Sequence, residues 1–400
     1  MSDKKITELP LANSGDVNDT DKLILQDGLN TKQISLSDIF TSGVLARFVA
    51  ASIAGHYSRG KRWAVAVGSR TTIESEDVAV NISGTGYVQT SSISIDLSQS
   101  SSWDTTTGTD YTVASNRAGK DFYLYAVEPS SGTAPDFLVS ASSTSPSGYS
   151  ASDSRRIGGF HCLCVDVGTI SGHDLDGFEA GDVLPASIWD LRWRSSGKQE
   201  GTVYSARAGL WVDIYLASWS GTEMESIDGG TIADGDSTPH FHWYNFVELF
   251  SEVGKRLPTQ SEFMAFSAGS NQETNISGSS DPGTTTGHTD TAGRRMISDI
   301  GVEDACGVLW QWGLENSADK AWSGFEPADT SGDGGTYDGQ NSIARGEGFD
   351  QPFRPNFGSA WSGGARCGSR FAHWNSSPLN LDPFISARGV ALPVDNESAD

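Results

Sequence analysis

The chain has 400 residues, 46 of them glycine, with an apolar share of 36% and a net charge of −24 from 27 basic against 51 acidic side chains. That balance argues against a nucleic-acid partner, which needs a basic face toward phosphate, and against docking on anionic lipid. No apolar run approaches the ~18 residues of a membrane span, and the glycine-rich composition points to a mostly β, loop-rich chain with a few helices.

Length suggests two or three units. Residues 1–55 read as an attachment and trimerising segment. Met1 to Lys5 lack the apolar core of a signal peptide, so synthesis in a host cytoplasm is expected. Leu23–Leu25, an Asp27-Gly28 turn and Thr31–Ile34 spell a hairpin. A lone hairpin of this size is marginal in water, so it is expected to pair with its own copies or with a partner. Val44, Leu45, Phe48, Val49 and Ile53 place a connecting helix over 42–56. The segment resembles the N-terminal attachment pieces of phage tail-fibre and baseplate proteins.

Residues 56–150 alternate apolar and polar positions: Trp63–Val67, Val78–Ile82, Tyr87–Gln89, Ile93–Leu97, Tyr111–Val113, Asp121–Val127 and Phe137–Val139. Short strands with turn signals between them predict a β-sandwich, and the Ser/Thr/Pro/Gly run 140–150 reads as a linker.

Residues 151–400 form the third expected unit. Ten of the 12 tryptophans lie from Trp189 onward, so aromatic packing is concentrated there. Phe241–Val253 is an amphipathic helix stopped by Gly254, and Thr259–Ala268 a second, opened by the capping-box pair Thr259 and Glu262. Residues 270–294 and 316–350 read as loops flanking an aromatic strand, Ala305–Trp312. Asp234, Asp236, Asp329, Asp333 and Asp338 lack an EF-hand pattern and are either solvated turns or a structural calcium loop; no other cofactor is indicated. Cys162, Cys164, Cys306 and Cys367 form no CxxC pair and read as buried small hydrophobes.

The stretch Phe357–Val390 obeys neither a helical nor a strand period. Large anchors (Trp361, Arg370, Trp374, Arg388) alternate with small or polar residues of no consistent type. Together with Lys255–Phe263, Gly307–Trp312, Arg156–His161, Ser187–Arg192, Gly209–Leu216, Trp243–Phe246 and the Ala387–Val390 ending, it resembles the C-type lectin fold in its formylglycine-generating-enzyme-like branch. Within that branch it resembles the major tropism determinant family, the variable receptor-binding proteins of diversity-generating retroelements in phages. The resemblance implies a C-type lectin domain after a β-sandwich. It implies diversified, ligand-binding positions at Ala360, Ser362, Gly363, Gly364, Arg366, His373, Asn375, Ser376, Asn380, Asp382, Phe384 and Ile385. Trp361, Gly368, Ser369, Arg370, Trp374, Pro378, Ala387, Arg388 and Gly389 fall on scaffold positions. It further implies a homotrimer at a virion tail-fibre tip, joined to tail or baseplate proteins through its N-terminus. The ligand would be a host-surface protein or glycan, with no nucleic acid and no membrane insertion.

Rival readings come from the same fold. An oxidase of the formylglycine-generating type needs a close cysteine pair, and only Cys367 stands in the C-terminal region. A metal enzyme needs a third ligand beside His240 and His242. A calcium-dependent sugar site, suggested by Gln351-Pro352 and Trp374-Asn375, meets Phe353 and Ser376 where oxygen-rich and acidic ligands are required. A cellular surface-display lectin would carry a signal peptide or lipobox. No catalytic residue is therefore assigned. Arg370 and Arg388 are expected beneath the surface, satisfying backbone carbonyls, and Trp361 and Trp374 in the core.

Overall fold

The computed structural model describes residues 55–130, 134–237, 239–316 and 353–395, together with the backbone of four further strands. Two of these, β1 (Lys22–Asp27) and β2 (Asn30–Ser35), form the expected antiparallel hairpin, in register from Lys22↔Ser35 to Asp27↔Asn30. The helix expected over 42–56 lies almost wholly outside the described residues.

β3 (Tyr57–Ser58), β4 (Lys61–Val65), β5 (Thr72–Ile82) and β6 (Thr85–Asp96) make a four-stranded antiparallel sheet centred on β5. β5 and β6 are longer than the fragments read from sequence. Polar Ser and Thr residues that break the apolar pattern, such as Ser92 and Ser94, take the solvent face of one continuous strand. Their turn is Ser83-Gly84, both at positive φ, with Gly84 N donating to Asn81 Oδ1 at 3.0 Å. This is the two-residue connection whose twist matches the strands. Tyr111–Val113, expected as a strand, instead leads into a one-turn helix, α1 (Ala114–Arg117). Buried Arg117 donates to the carbonyls of Tyr111 (2.7 Å) and Thr112 (3.0 Å), taking the acceptors that a ladder would have used.

The second sheet contains β7 (Asp121–Val127), β8 (Asp136–Ser140), β9 (Ser154–His161), β10 (Trp189–Asp190) and β11 (Trp193–Ser195). Trp63, Ile73, Val80, Phe122, Leu124, Ile157, Phe160 and Ile188 share one core between the two sheets, a sandwich. β9 pairs with β7 from Asp121↔His161 to Val127↔Ser154 and with β10 on its other edge. Gly158 and Gly159 permit that edge, because a Cβ at either would strike Trp189. Sheet and core therefore run past the boundary expected at 150/151, and the run 140–150 belongs to the connection from β8 to β9, which flank β7 in one sheet. We propose the division between units near residue 195.

The C-terminal unit opens with β12 (Thr202–Ser205) and β13 (Leu210–Asp213), then a small hairpin, β14 (Ser218–Trp219) and β15 (Met224–Glu225). Helix α2 (Trp243–Glu252) turns Phe246 and Phe250 inward. Its N-cap is His242, which accepts from Asn245 N while the Asn245 side chain accepts from His242 N. Helix α3 (Gln260–Phe266) has the expected Thr259–Glu262 capping box, reinforced by Arg256 bridging both Glu262 oxygens (2.8 and 2.6 Å). β16 (Trp310–Trp312) follows. The backbone strands β17 (Thr336–Tyr337) and β18 (Gln340–Asn341) pair with each other.

The chain ends in β19 (Arg354–Gly358), β20 (Gly368–Ser376), β21 (Ile385–Ser386), β22 (Val390–Ala391) and β23 (Pro393–Asp395). β22 joins β13, and β23 returns to β11 in the six-stranded sheet, so the terminus staples the two units. The last sheet has the order β20-β19-β16-β21, with β21 parallel to β16. Phe263, Phe266 and Phe357 pack beneath it in one cluster, and Phe241, Trp243, Phe246, Trp312 and Ile385 in another. The protein is mostly β with a few helices, consistent with a C-type lectin-like arrangement.

Arg388 fastens these layers. It is fully buried and donates to the carbonyls of Asp213 (2.8 Å), Ile214 (2.5 Å) and Glu303 (2.7 Å) and to Gln311 Oε1 (3.1 Å). Beside it the buried pair Lys255–Asp213 closes at 2.5 Å.

Candidate functional site

β19 is buried along its whole length, and β20 lies on its outer edge. The pairing shifts by one residue between Arg354↔Ser376 and Asn356↔His373. Such a bulge turns both His373 and Ser376 to one side of the sheet, where strict alternation would have separated them. On that side lies a concavity of about 700 Å³ lined by Trp310, Asn356, Ser359, Ala360, Ser362, Gly363, Arg366, Phe371, His373, Ser376, Asn380, Asp382, Phe384 and Ile385.

Two loops form its walls, and both are held by atoms that do not depend on what their side chains are. In the first, Asn275 Nδ2 donates to Trp361 O and Asn275 Oδ1 accepts from Gly364 N, while Cys367 N donates to Gly364 O at 3.0 Å. In the second, Trp310 N donates to Phe384 O (2.8 Å), Trp243 N to Pro378 O (3.1 Å) and Gly235 N to Asp382 O (3.3 Å). A Cβ on Gly235 would strike the Leu381–Asp382 backbone, so glycine permits this approach. Asp382 is the exception, because its Oδ1 also accepts from Phe384 N at 2.8 Å.

Aromatic rings line both sides. Trp310 lies against Phe371 (5.4 Å between centroids) and His373 (5.9 Å). Trp361 stacks on Phe384 at 4.3 Å. The floor is buried and includes Asn356, Ser359, Ala360, Ser376 and Ile385.

The surrounding chemistry offers no activated nucleophile. All four cysteines are buried and free. Burial pushes the Cys306 thiol up to about 12 and raises Cys162, Cys164 and Cys367 as well, away from the reactive thiolate. His240 Nδ1 donates to Gly235 O at 2.9 Å, and His242 is spent on its helix cap. Among the described residues no group of three His, Cys, Asp or Glu side chains could hold a metal ion. Asp234 Oδ1 accepts from Asp236 N and Ser237 N, so it is engaged in its own turn. Asp329, Asp333, Asp338, Gln351 and Pro352 lie outside the described residues.

Residues 71–190 match the family described as the Mtd second domain. The chain is 31% identical over 307 residues to the tail fiber receptor-binding protein of Bordetella phage BPP-1, covering 71% of this chain and 74% of that protein. The chain belongs to the major tropism determinant family. Its fold is shared with the solved M1 variant of the major tropism determinant (TM-score 0.68, 24% identity, covering 94% of this chain and 93% of the other). It is shared equally with the U1 variant (TM-score 0.66, 24% identity, 93% and 92%).

Of the twelve positions that the resemblance assigns to display in this chain, ten line the concavity; Gly364 and Asn375 do not. Asn375 is exposed and falls within the bulge that brings Ser376 round. Ala360, Ser376 and Ile385 are floor rather than rim, each buried. At Gly363 a Cβ would meet Ser359 Oγ and Cys367 Sγ, so that position has no room for a side chain as the loop stands. Two scaffold expectations need correction. Trp374 is 36% exposed and meets Phe357 edge-on at 6.5 Å; β20 is an edge strand, and this residue does not line the concavity. Arg370 is likewise exposed, whereas Arg388 is buried on backbone carbonyls as expected. Trp361 is half-buried. It packs against a cluster that includes Leu216, Ile232 and Met296 while its other face supports Phe384.

Sequence reasoning missed Trp310, Asn356 and Phe371. The available signal was the Trp-Gln-Trp triplet. Trp310 and Trp312 fall on one face of the strand, opposite Gln311, and of the two only Trp312 is fully buried, which leaves the ring of Trp310 partly open.

Proposed function

We propose that this protein is a phage tail-fibre receptor-binding protein that recognises a host-surface ligand through the concavity on its last sheet, by binding and without catalysis. The observation that carries the reading is the convergence of ten expected display positions on one concavity whose loops are fastened largely through main-chain atoms. Side chains there can change while the backbone stays, which is what diversification by a retroelement requires. The buried thiols, the engaged His240 and His242 and the lack, among the described residues, of three side chains grouped to hold a metal support binding over chemistry.

The same reading has the protein at a tail-fibre tip, attached to the virion through residues 1–55 and assembled as a homotrimer. Several weak sites presented together raise avidity by about 10²–10⁴ over one. The net charge of −24 fits no nucleic-acid partner. The test is competition. Purified protein added to host cells should block phage adsorption in proportion to its concentration, and sedimentation should give three chains per particle. Adsorption unchanged by saturating protein contradicts the reading.

A further inference from the structure

Most of the lining of the concavity falls at expected display positions, the buried Ala360, Ser376 and Ile385 included; Trp310, Asn356, Ser359 and Phe371 do not. Trp310, Asn356 and Phe371 belong to no expected display position, and they supply two recognition elements, to which Arg366 adds a third. Trp310 and Phe371 present an aromatic wall. Asn356 presents a polar atom beneath it. Its Nδ2 donates to Ser376 Oγ at 2.6 Å, but its Oδ1 is buried with no hydrogen-bond partner among the described residues. A buried acceptor left unpaired is costly, and in a lining side chain it marks the place of a ligand donor. Ser376 Oγ continues the polar line outward to His373 Nδ1 at 3.5 Å.

The third element is charge. Between Phe353 and Val394 the sequence carries four arginines and a single carboxylate, Asp382, in a chain that is otherwise strongly acidic. Arg366 is exposed and lines the concavity. Arg354 and Arg388 are buried and Arg370 does not line the concavity, so Arg366 is the one guanidinium in its lining, with Asp382 the one carboxylate.

An aromatic face beside a hydroxyl-seeking acceptor, with a guanidinium at the edge, is complementary to a sugar ring that bears an acid group. The apolar C–H face of the ring lies on Trp310 and Phe371. A ring hydroxyl donates to Asn356 Oδ1, and a carboxylate or phosphate faces Arg366. We infer that Trp310, Phe371 and Asn356 hold one sugar ring of a host-surface glycan and that Arg366, at an expected display position, faces an acid group on that sugar. The inference rests on the receptor-binding reading above and narrows it to an acidic saccharide.

The test measures adsorption of the full-length protein to host cells treated with mild periodate, which cleaves sugar diols, or with protease. Arg366→Ala and Phe371→Ala variants are compared on untreated cells, their folding checked by thermal melts. The expected result is at least a tenfold loss after periodate, little loss after protease, and about a tenfold loss for each variant. Adsorption that survives periodate and disappears with protease overturns the sugar inference and leaves a protein receptor, with the receptor-binding reading intact. Full adsorption by folded Arg366→Ala and Phe371→Ala proteins overturns the inference and the choice of site together.

Discussion

Trp361 lies flat against Phe384, with ring centroids 4.3 Å apart and planes 24° from parallel, so a scaffold residue of one loop braces a display residue of the other. Offset aromatic pairs contribute about 0.5–1.5 kcal/mol beyond the area they bury. In a double-mutant cycle with Trp361→Ala and Phe384→Ala, urea denaturation should give a coupling of about 1 kcal/mol. Trp361→Ala alone should cost more than Phe384→Ala, because its other face packs on the Leu216 and Ile232 cluster.

Gly363 and Gly364 should behave as opposites although they are neighbours. A side chain at Gly363 must displace Ser359 or Cys367, and Gly363→Val should cost about 1–3 kcal/mol through overpacking. Gly364 has φ +54 and open space around its Cα, a conformation that asparagine tolerates, so Gly364→Asn should stay within about 1 kcal/mol of the parent. Thermal melts of the two proteins decide the point.

The two arginines of the last segment should separate just as clearly. Arg388→Met strips a fully buried guanidinium from three carbonyls and Gln311, leaving acceptors unpaired inside the protein, and should cost about 3–5 kcal/mol or prevent folding. Arg370→Ala should change stability by about 0.5 kcal/mol or less. Trp374→Ala should likewise fall well short of the ~3–5 kcal/mol of a core tryptophan, since its ring is largely a surface feature.

Stability should fall as pH rises from about 5 to 8. Burial pushes the Glu303 carboxyl up to about 7 against the pull of Arg295, so the folded state holds a proton there that the unfolded chain has already released. For His288, burial lowers the pKa but the hydrogen bond and charge of Asp304 (2.6 Å) outweigh it, and the net shift is upward. Its stabilisation is complete below the ordinary histidine range and is lost as pH passes its folded value. Both groups act in the same direction. Urea denaturation at the two ends of the range should show it, and His288→Gln should flatten the upper part of the slope.

What was legible in the sequence was local. The Thr259–Glu262 cap, the hairpin of Lys22–Ser35 and the inward faces of α2 depend on residues three or four apart or on one turn, and they stand as read. The continuity of the sandwich across residue 150 was hidden, because it rests on β9 pairing with β7 and β10 at long separation while the intervening Ser/Thr loop imitates a linker. At the site, ten of the twelve positions that the resemblance assigns line one concavity, but the orientation of β20 did not follow from it. The bulge beside His373 decides which side chains face inward, and its edge position leaves Trp374 and Arg370 in solvent. Trp310 escaped notice because it lies far from the variable stretch in sequence and is brought to it by tertiary structure, through strand pairing with Ile385 and ring contacts with Phe371 and His373.

The most direct test of the central claim, that this face displays side chains for recognition on an independent scaffold, is one multiply substituted protein. It carries Arg366→Ala, His373→Ala, Asn380→Ala and Asp382→Asn, the last keeping the acceptor for Phe384 N. Each surface change should cost about 0.5 kcal/mol or less, so the protein should melt within a few degrees of the parent. Its adsorption to host cells should nevertheless be lost, because a few central side chains carry most of an interface. A protein that folds like the parent and still adsorbs undiminished contradicts the account.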